Sequence, residues 1–327
     1  MAIIFCDGFN GAGNPYYSNK YESYDGTIPT SQAARTGNAW KWRSGFATKT
    51  LASNEGTLVV GFAYQDTYDA INKTILKLID GSTTQIYLYV NTSRQVQVKN
   101  GDGTTLATST STVQILDDAS YTYIELKVVI GNSGSYTLKI NGTTEATASG
   151  VDTQNSANSY ANKVAIGNDD TSENAAFDDF YVDNANFLGT VKIYSILPTG
   201  DSSVAWTPSA GSNYECVDDA VQGHDGDSTY VAATTTAVKD LYTLGDLSLS
   251  SGVIKGIAHN FVGRKTDVNP TSIIPKIQTS STEYSGTTQS MTTSYAHYQT
   301  VWETNPYSGS GWTYGAIDTL IAGMETA

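Results

Sequence analysis

Between residues 57 and 183 large apolar and polar residues alternate with a period of two, strand after strand, with no helical period. Alternation of this kind builds antiparallel sheet with one face turned to a core. In Thr57–Tyr64 the residues Leu58, Val60, Phe62 and Tyr64 share a face. In Gln85–Asn91 the residues Ile86, Leu88 and Val90 point inward, with Tyr87 and Tyr89 outward. Thr122–Ile130 sends Ile124, Leu126, Val128 and Ile130 to the core and leaves Tyr121, Tyr123, Glu125 and Lys127 outside. Asn100-Gly101-Asp102-Gly103 and Asn141-Gly142 supply the residues that tight hairpin turns demand. Lys163–Gly167 and Phe177–Asp183 complete the set, and Ile3-Ile4-Phe5 is placed to add a strand from the N-terminus.

A chain of 327 residues has the length of two ordinary domains. Its 18 Lys and Arg against 32 Asp and Glu leave a net charge of -14, with no basic block. Such a surface repels phosphate backbones, so nucleic acid is not an expected partner. Cys6 and Cys216 cannot make a disulfide framework and are expected as buried free thiols. The apolar run in Met1–Asp7 is too short for a signal peptide, and no stretch reaches the length of a membrane span. The expectation is therefore a protein folded in the cytoplasm with no membrane partner.

The order of several segments resembles a known family. Phe5-Cys6-Asp7-Gly8-Phe9 comes first, then Arg35-Thr36-Gly37-Asn38-Ala39-Trp40, Tyr123–Val128 and Tyr136–Thr143, and finally Val164–Gly167 and Phe177–Val182. This succession is similar to the laminin-G/concanavalin-like jelly roll of lectins, glucanases and many phage proteins. The resemblance covers residues 1–187 and implies an all-β fold opening with a concanavalin-like jelly-roll β-sandwich.

After Phe187 the texture changes. Leu188–Tyr194 reads as a fresh strand and Leu197–Ser203 as its break, which sets a domain boundary near 188 and a second, β-rich domain over 188–327. At the end, Ile317, Leu320, Ile321 and Met324 fall at i, i+3, i+4 and i+7, with Thr313 as N-cap and Gly323 near the C-terminus. That spacing predicts a short terminal α-helix, a docking element for the second domain or for a neighbouring subunit. A Pro198-Thr199-Gly200-Asp201 turn, Trp206-Thr207-Pro208 followed by Asn213-Tyr214, an Asp-rich run ending in Tyr230-Val231, and Trp312-Thr313 occur in that order. Their order resembles a module of tailed-bacteriophage virion proteins. It implies a non-enzymatic structural protein on the particle surface, either capsid decoration, head fibre or tail-associated. Such a protein docks onto other virion proteins of the capsid or tail, assembles in the bacterial host cytoplasm and, by family analogy, is a homo-oligomer such as a trimer.

Three constellations bear on chemistry. Acidic pairs occur at Asp117-Asp118, Asp169-Asp170, Asp178-Asp179 and Asp218-Asp219. Asp169, Asp170 and Asp178 are the first candidates for calcium, which takes six to eight oxygens, and turn chemistry is the alternative for such residues. No other cofactor is suggested. A glycosidase would need a same-face carboxylate pair, and Glu125, between Tyr123 and Lys127, reads as a surface glutamate. His224, His259 and His297 are isolated, and no nucleophile elbow or P-loop occurs, so no enzyme is expected. Tyr87, Tyr89, Tyr121 and Tyr123 form the third constellation. As an outward aromatic platform they would contact a glycan or a protein, whereas cross-strand pairing would make them a mere cover for the sheet. The rival to the particle reading is therefore a carbohydrate-binding receptor module for a host surface glycan. Trp40, Trp42, Trp206, Trp302 and Trp312 are assigned to the cores and the domain junction.

Overall fold

The structure is a computed structural model that describes residues 2–9, 20–26, 30–33, 35, 38–66, 72–115, 120–171, 174–219, 223–266 and 271–327. Asp117, Asp118, Thr36 and Gly37 lie outside the described residues. The chain divides into two compact units, the first of Met1–Tyr16 with Tyr21–Ile193 and the second built on Tyr194–Ala327.

Strands of the first unit are β1 (Ile3–Asp7), β2 (Ser23–Gly26), β3 (Thr30–Ala33), β4 (Asn38–Trp42) and β5 (Gly45–Glu55). They continue with β6 (Thr57–Gln65), β7 (Lys73–Asp80), β8 (Thr83–Val90), β9 (Gln95–Asn100) and β10 (Thr105–Thr112). The last five are β11 (Thr122–Val129), β12 (Gly134–Ile140), β13 (Thr143–Val151), β14 (Ala161–Asn168) and β15 (Ala175–Asp183). One sheet runs β13-β12-β11-β6-β15-β4-β3, with β1 also on β15, and the other runs β10-β9-β8-β7-β14-β5-β2. Both are antiparallel, and their inward residues, among them Leu58, Phe62, Leu88, Val98, Ile124, Leu138, Ile166 and Phe177, form one buried cluster. The expected jelly-roll sandwich is what forms.

Local chemistry explains the pairing. Asn141 and Gly142 both have positive φ, 51° and 82°, as a two-residue hairpin between β12 and β13 requires. The N-terminal strand closes the first sheet through Phe5↔Val182 and Cys6↔Tyr181. In β15 the register slips between Asp178 and Tyr181, and Asp179 adopts φ 51°. This bulge lets both Phe177 and Phe180 reach the core while Tyr181 turns to the outer face.

The segment expected as the opening strand of the second half is not a strand. Residues 184–193 instead lie on the outer face of the first sheet, where Phe187, Leu188 and Val191 pack on Val59, Ala63, Tyr123 and Tyr181. The first unit accordingly ends at Ile193 and not at Phe187.

The second unit contains β16 (Pro198–Val204), β17 (Thr207–Pro208), β18 (Val231–Ala232), β19 (Lys239–Leu244) and β20 (Ile257–Gly263). After these come β21 (Ser272–Thr279), β22 (Thr282–Ser285), β23 (Gln289–Ser290), β24 (Ala296–Trp302), the helix α1 (Tyr314–Asp318) and β25 (Ile321–Thr326). Its main sheet has the order β16-β19-β25-β21-β22, and β20 pairs with β24 as a separate two-stranded antiparallel sheet. Leu197–Ser203, read from the sequence as a breaker, instead supplies most of β16, an edge strand with two register shifts against β19. A proline at its first position costs no ladder bond there.

The terminal helix is much shorter than expected. Thr313 does cap it, its hydroxyl accepting from the Ala316 amide at 3.3 Å, but the helix stops at Asp318. Ile321 and Met324 belong to β25, which lies between β19 and β21. Gly323 explains the strand: a Cβ there would meet the Asp240 carbonyl oxygen at 1.9 Å, so the close approach to β19 needs glycine. Leu320 and Ile317 are buried with Trp312, Ile277 and Ala322, while Met324 is buried with Phe261, Ile273 and Met291. Ile317, Leu320 and Met324 are thus core of their own unit, Ile321 is half-buried on β25, and the four do not form the stripe of a docking helix.

Candidate functional site

Alternation and register place an aromatic and cationic strip on the outer face of the β10-to-β2 sheet. Ile86, Leu88 and Val90 are fully buried, which turns Tyr87 and Tyr89 outward, half-exposed. Across the ladders Lys77 of β7 and Lys99 of β9 both stand opposite Tyr87, and Gln97 stands opposite Tyr89. The two rings meet edge to face, with centroids 6.5 Å apart and planes at 81°. The Lys99 ammonium lies 5.0 Å from the Tyr89 ring centre, and the Lys77 ammonium lies 3.8 Å from that of Phe46 on β5. Partial burial, then the charges of Asp102 and Asp169, push the Tyr87 hydroxyl above its ordinary pKa. Partial burial likewise raises Tyr89, with Asp169 adding to it. Both hydroxyls therefore remain protonated and able to donate at neutral pH.

This strip has the properties a sugar needs. Ring faces can take the C–H surface of a pyranose, while two ammonium groups, two phenols and the Gln97 amide can meet its hydroxyls or acidic substituents.

Tyr121 and Tyr123 do not join it, because their strand belongs to the opposite sheet. Tyr123 is only 2% exposed and its hydroxyl donates to the Asp179 carbonyl at 3.1 Å. Burial raises the pKa of Tyr121 first, and Asp178 and Asp179 add to it. The expected platform of four tyrosines is thus two sites on two sheets, and the Tyr123 half is closed.

What closes it is the segment 184–193, held by polar side chains that the sequence reading had placed in solvent or left out. Glu125 is 1% exposed, and its Oε1 accepts from the Tyr181 hydroxyl at 2.6 Å and from the Gly189 amide at 2.9 Å. Lys127 donates to the Ala185 carbonyl at 2.6 Å. Arg35 lies over the Tyr123 ring at 4.9 Å and donates to Asp179 at 3.0 Å and to the Val191 carbonyl at 2.9 Å. Asp179 in turn accepts from the Ile193 amide at 2.7 Å. Glu125 is therefore a buried latch and not a surface residue.

The three candidate calcium ligands do not converge. Asp169 is exposed and accepts from the Thr74 amide at 2.7 Å, whereas Asp178, fully buried on β15, accepts from the amides of Arg35 at 2.9 Å and Asp179 at 2.8 Å. Asp170 is 9% exposed and follows Asn168, whose side chain takes its amide. Among the described residues no group of three His, Cys, Asp or Glu is placed to hold a metal ion. Backbone amides take up the carboxylates of Asp169 and Asp178. Cys216 is buried and Cys6 half-buried, both as free thiols.

Sequence reasoning missed Lys77, Lys99, Gln97 and Phe46. A signal for Lys77 existed, a cation set between Leu76 and Leu78 in the apolar middle of its strand, but its neighbour depends on a register that only the assembled sheet supplies.

No protein-family model matches the sequence, and a search of the curated proteins found no match. Among solved structures the chain is similar to an endo-beta-1,4-glucuronan lyase from the fungus Trichoderma reesei, at 11% identity and TM-score 0.41 over 56% of this chain and 96% of that one. It is similar to alginate lyase Aly36B, at 11% identity and TM-score 0.38 over 57% and 99%. It is also similar to the receptor-binding domain of botulinum neurotoxin type G, at 9% identity and TM-score 0.37 over 69% and 68%. At these identities and TM-scores the likenesses assign no activity or ligand to this chain. The expectation of a chain without catalysis is withdrawn, since two of these three structures are named as lyases.

Proposed function

We propose that the first unit binds a carbohydrate chain across the outer face of its β10-to-β2 sheet. The observation that carries this reading is the half-exposed, edge-to-face pair Tyr87 and Tyr89, with Lys77 and Lys99 opposite Tyr87 on either side. Exposed aromatics beside donors that no core contact uses are the material of a recognition surface. A host surface glycan is the ligand that joins this face to the particle setting, which rests on the resemblance of residues 188–327 alone. In that setting the protein sits on a tailed-phage virion, docked to capsid or tail proteins.

A glycan array probed with the whole protein tests the reading. Binding to a defined set of glycans is expected, and Tyr87→Ala with Tyr89→Ala should abolish it without lowering the melting temperature by more than a degree or two. Unchanged binding by the double variant would move the site elsewhere, and no binding by the wild type to any glycan would end the proposal.

A further inference from the structure

Charge narrows the ligand class on this face, an inference that rests on the glycan-binding reading above. The chain as a whole is strongly acidic, at -14. Against that background Lys99, Tyr87 and Lys77 form one transverse row, each directly opposite the next on three neighbouring strands. Among the described residues neither lysine makes an ion pair with a carboxylate, whereas Lys49, Lys73, Lys239 and Lys276 each do. Their ammonium groups rest instead on the Tyr89 and Phe46 rings, which fix the stems and leave N–H donors for an incoming group. Strand spacing sets the two lysine Cα atoms about 10 Å apart, a reach comparable with two linked sugar rings.

We propose that the ligand of this face is an anionic polysaccharide, whose acidic groups sit at Lys77 and Lys99 while a sugar ring stacks on Tyr87 or Tyr89. Two neighbouring carboxylates sharpen the register. Asp169, tied to the Thr74 amide, and Asp102, tied to the Thr104 amide at 2.8 Å, repel an anion from the margins of the strip and favour its seat between the lysines. On the far side of Lys77 the same row continues through the buried Ala165 to Thr48 and the exposed Ser23.

Affinity electrophoresis and calorimetry with polygalacturonate (carboxylated), dextran sulfate (sulfated) and dextran (neutral) test this. The wild-type chain should bind an acidic polymer, more weakly as salt rises, and bind dextran at least roughly tenfold less tightly. Lys77→Gln with Lys99→Gln should lose roughly tenfold or more on the acidic polymer, and Lys77→Arg with Lys99→Arg should retain it. Preference between polygalacturonate and dextran sulfate identifies the acidic group. Equal binding of dextran and the acidic polymers, unaffected by the glutamine pair, would overturn the anionic assignment and leave glycan binding standing. Loss with the glutamine pair that the arginine pair does not restore would likewise overturn the role of charge. Absence of binding to every glycan would remove the reading on which both depend.

Discussion

The hydroxyl of Tyr181 donates to Oε1 of Glu125 at 2.6 Å, and the same oxygen accepts the Gly189 amide, so one buried carboxylate fastens β15, β11 and the segment 184–193 together. Burial and the Glu125 charge raise the Tyr181 pKa strongly, which keeps its proton in this bond at any accessible pH. Tyr181→Phe removes a bond to a charged acceptor and should cost about 1.5 to 3 kcal/mol. Chemical denaturation would measure it, and amide exchange at Leu188 and Gly189 should quicken in the variant. Unchanged exchange would show that apolar packing alone holds the segment.

Gly61 makes room for that tyrosine. A Cβ at residue 61 would fall 2.1 Å from the Tyr181 ring, so Gly61→Ala must displace the ring from Glu125. Overpacking of this kind should cost about 1 to 3 kcal/mol. In the background of Tyr181→Ala the substitution should become nearly neutral, and a double-mutant cycle that finds additivity would refute the coupling.

Arg35 fastens the other end of the segment, with bonds to Asp179, Thr190 and Val191 spread over one guanidinium. A lysine cannot reproduce that fork. Arg35→Lys should therefore behave like Arg35→Ala, with proteolytic cleavage appearing within residues 185–193 on native digestion. Protection equal to wild type in Arg35→Lys would show that charge alone suffices.

Lys73 and Asp66 form an ion pair at 2.7 Å with no side-chain exposure at either partner, and the Tyr64 hydroxyl also donates to Asp66. Removing one member leaves a buried charge uncompensated, so Lys73→Ala should destabilise by about 3 to 5 kcal/mol. Urea unfolding gives the value directly, and a loss below about 1 kcal/mol would mean that water reaches the pair.

In the second unit burial lowers the pKa of His259 to about 4, and its Nδ1 is shut off from solvent with no hydrogen-bond partner among the described residues. A folded-state value below the unfolded one of about 6.5 means that the unfolded chain takes the proton first. Stability should thus fall as pH drops from about 6.5 towards 4, with a slope of at most about 1.4 kcal/mol per unit, and stay flat in this respect above 7. His259→Phe should lack that part of the acid sensitivity. Parallel stability curves for the two proteins between pH 4 and 7 would exclude it.

Leu320 is 6% exposed in a cluster with Trp312 and Ile317, so Leu320→Ala should cost about 2 to 5 kcal/mol. The exposed Thr319→Ala should cost about 0.5 kcal/mol or less. Equal melting temperatures would mean that the C-terminal segment adds nothing to its unit.

Alternation by itself determined β6, β8, β9, β11, β12, β14 and β15 of the first unit, which of their residues face the core, and the outward pair Tyr87 and Tyr89, because a period of two is a property of the local backbone. It also gave the Thr313 cap. It could not determine what lies on an outer face. Glu125, Tyr123 and Lys127 have outward parity, yet residues 184–193 cross over them, and that crossing depends on contacts between positions some 60 apart, such as Glu125 with Gly189. The C-terminal stripe misled for the same reason: Ile321 and Met324 fit a helical spacing, but two flanking strands and the close approach at Gly323 offered ladder bonds on both sides. Tertiary context overrides a short local pattern when it satisfies the backbone on both edges. The pairing of Lys77 and Lys99 around Tyr87 is likewise a matter of register, fixed only when three strands close against a shared core.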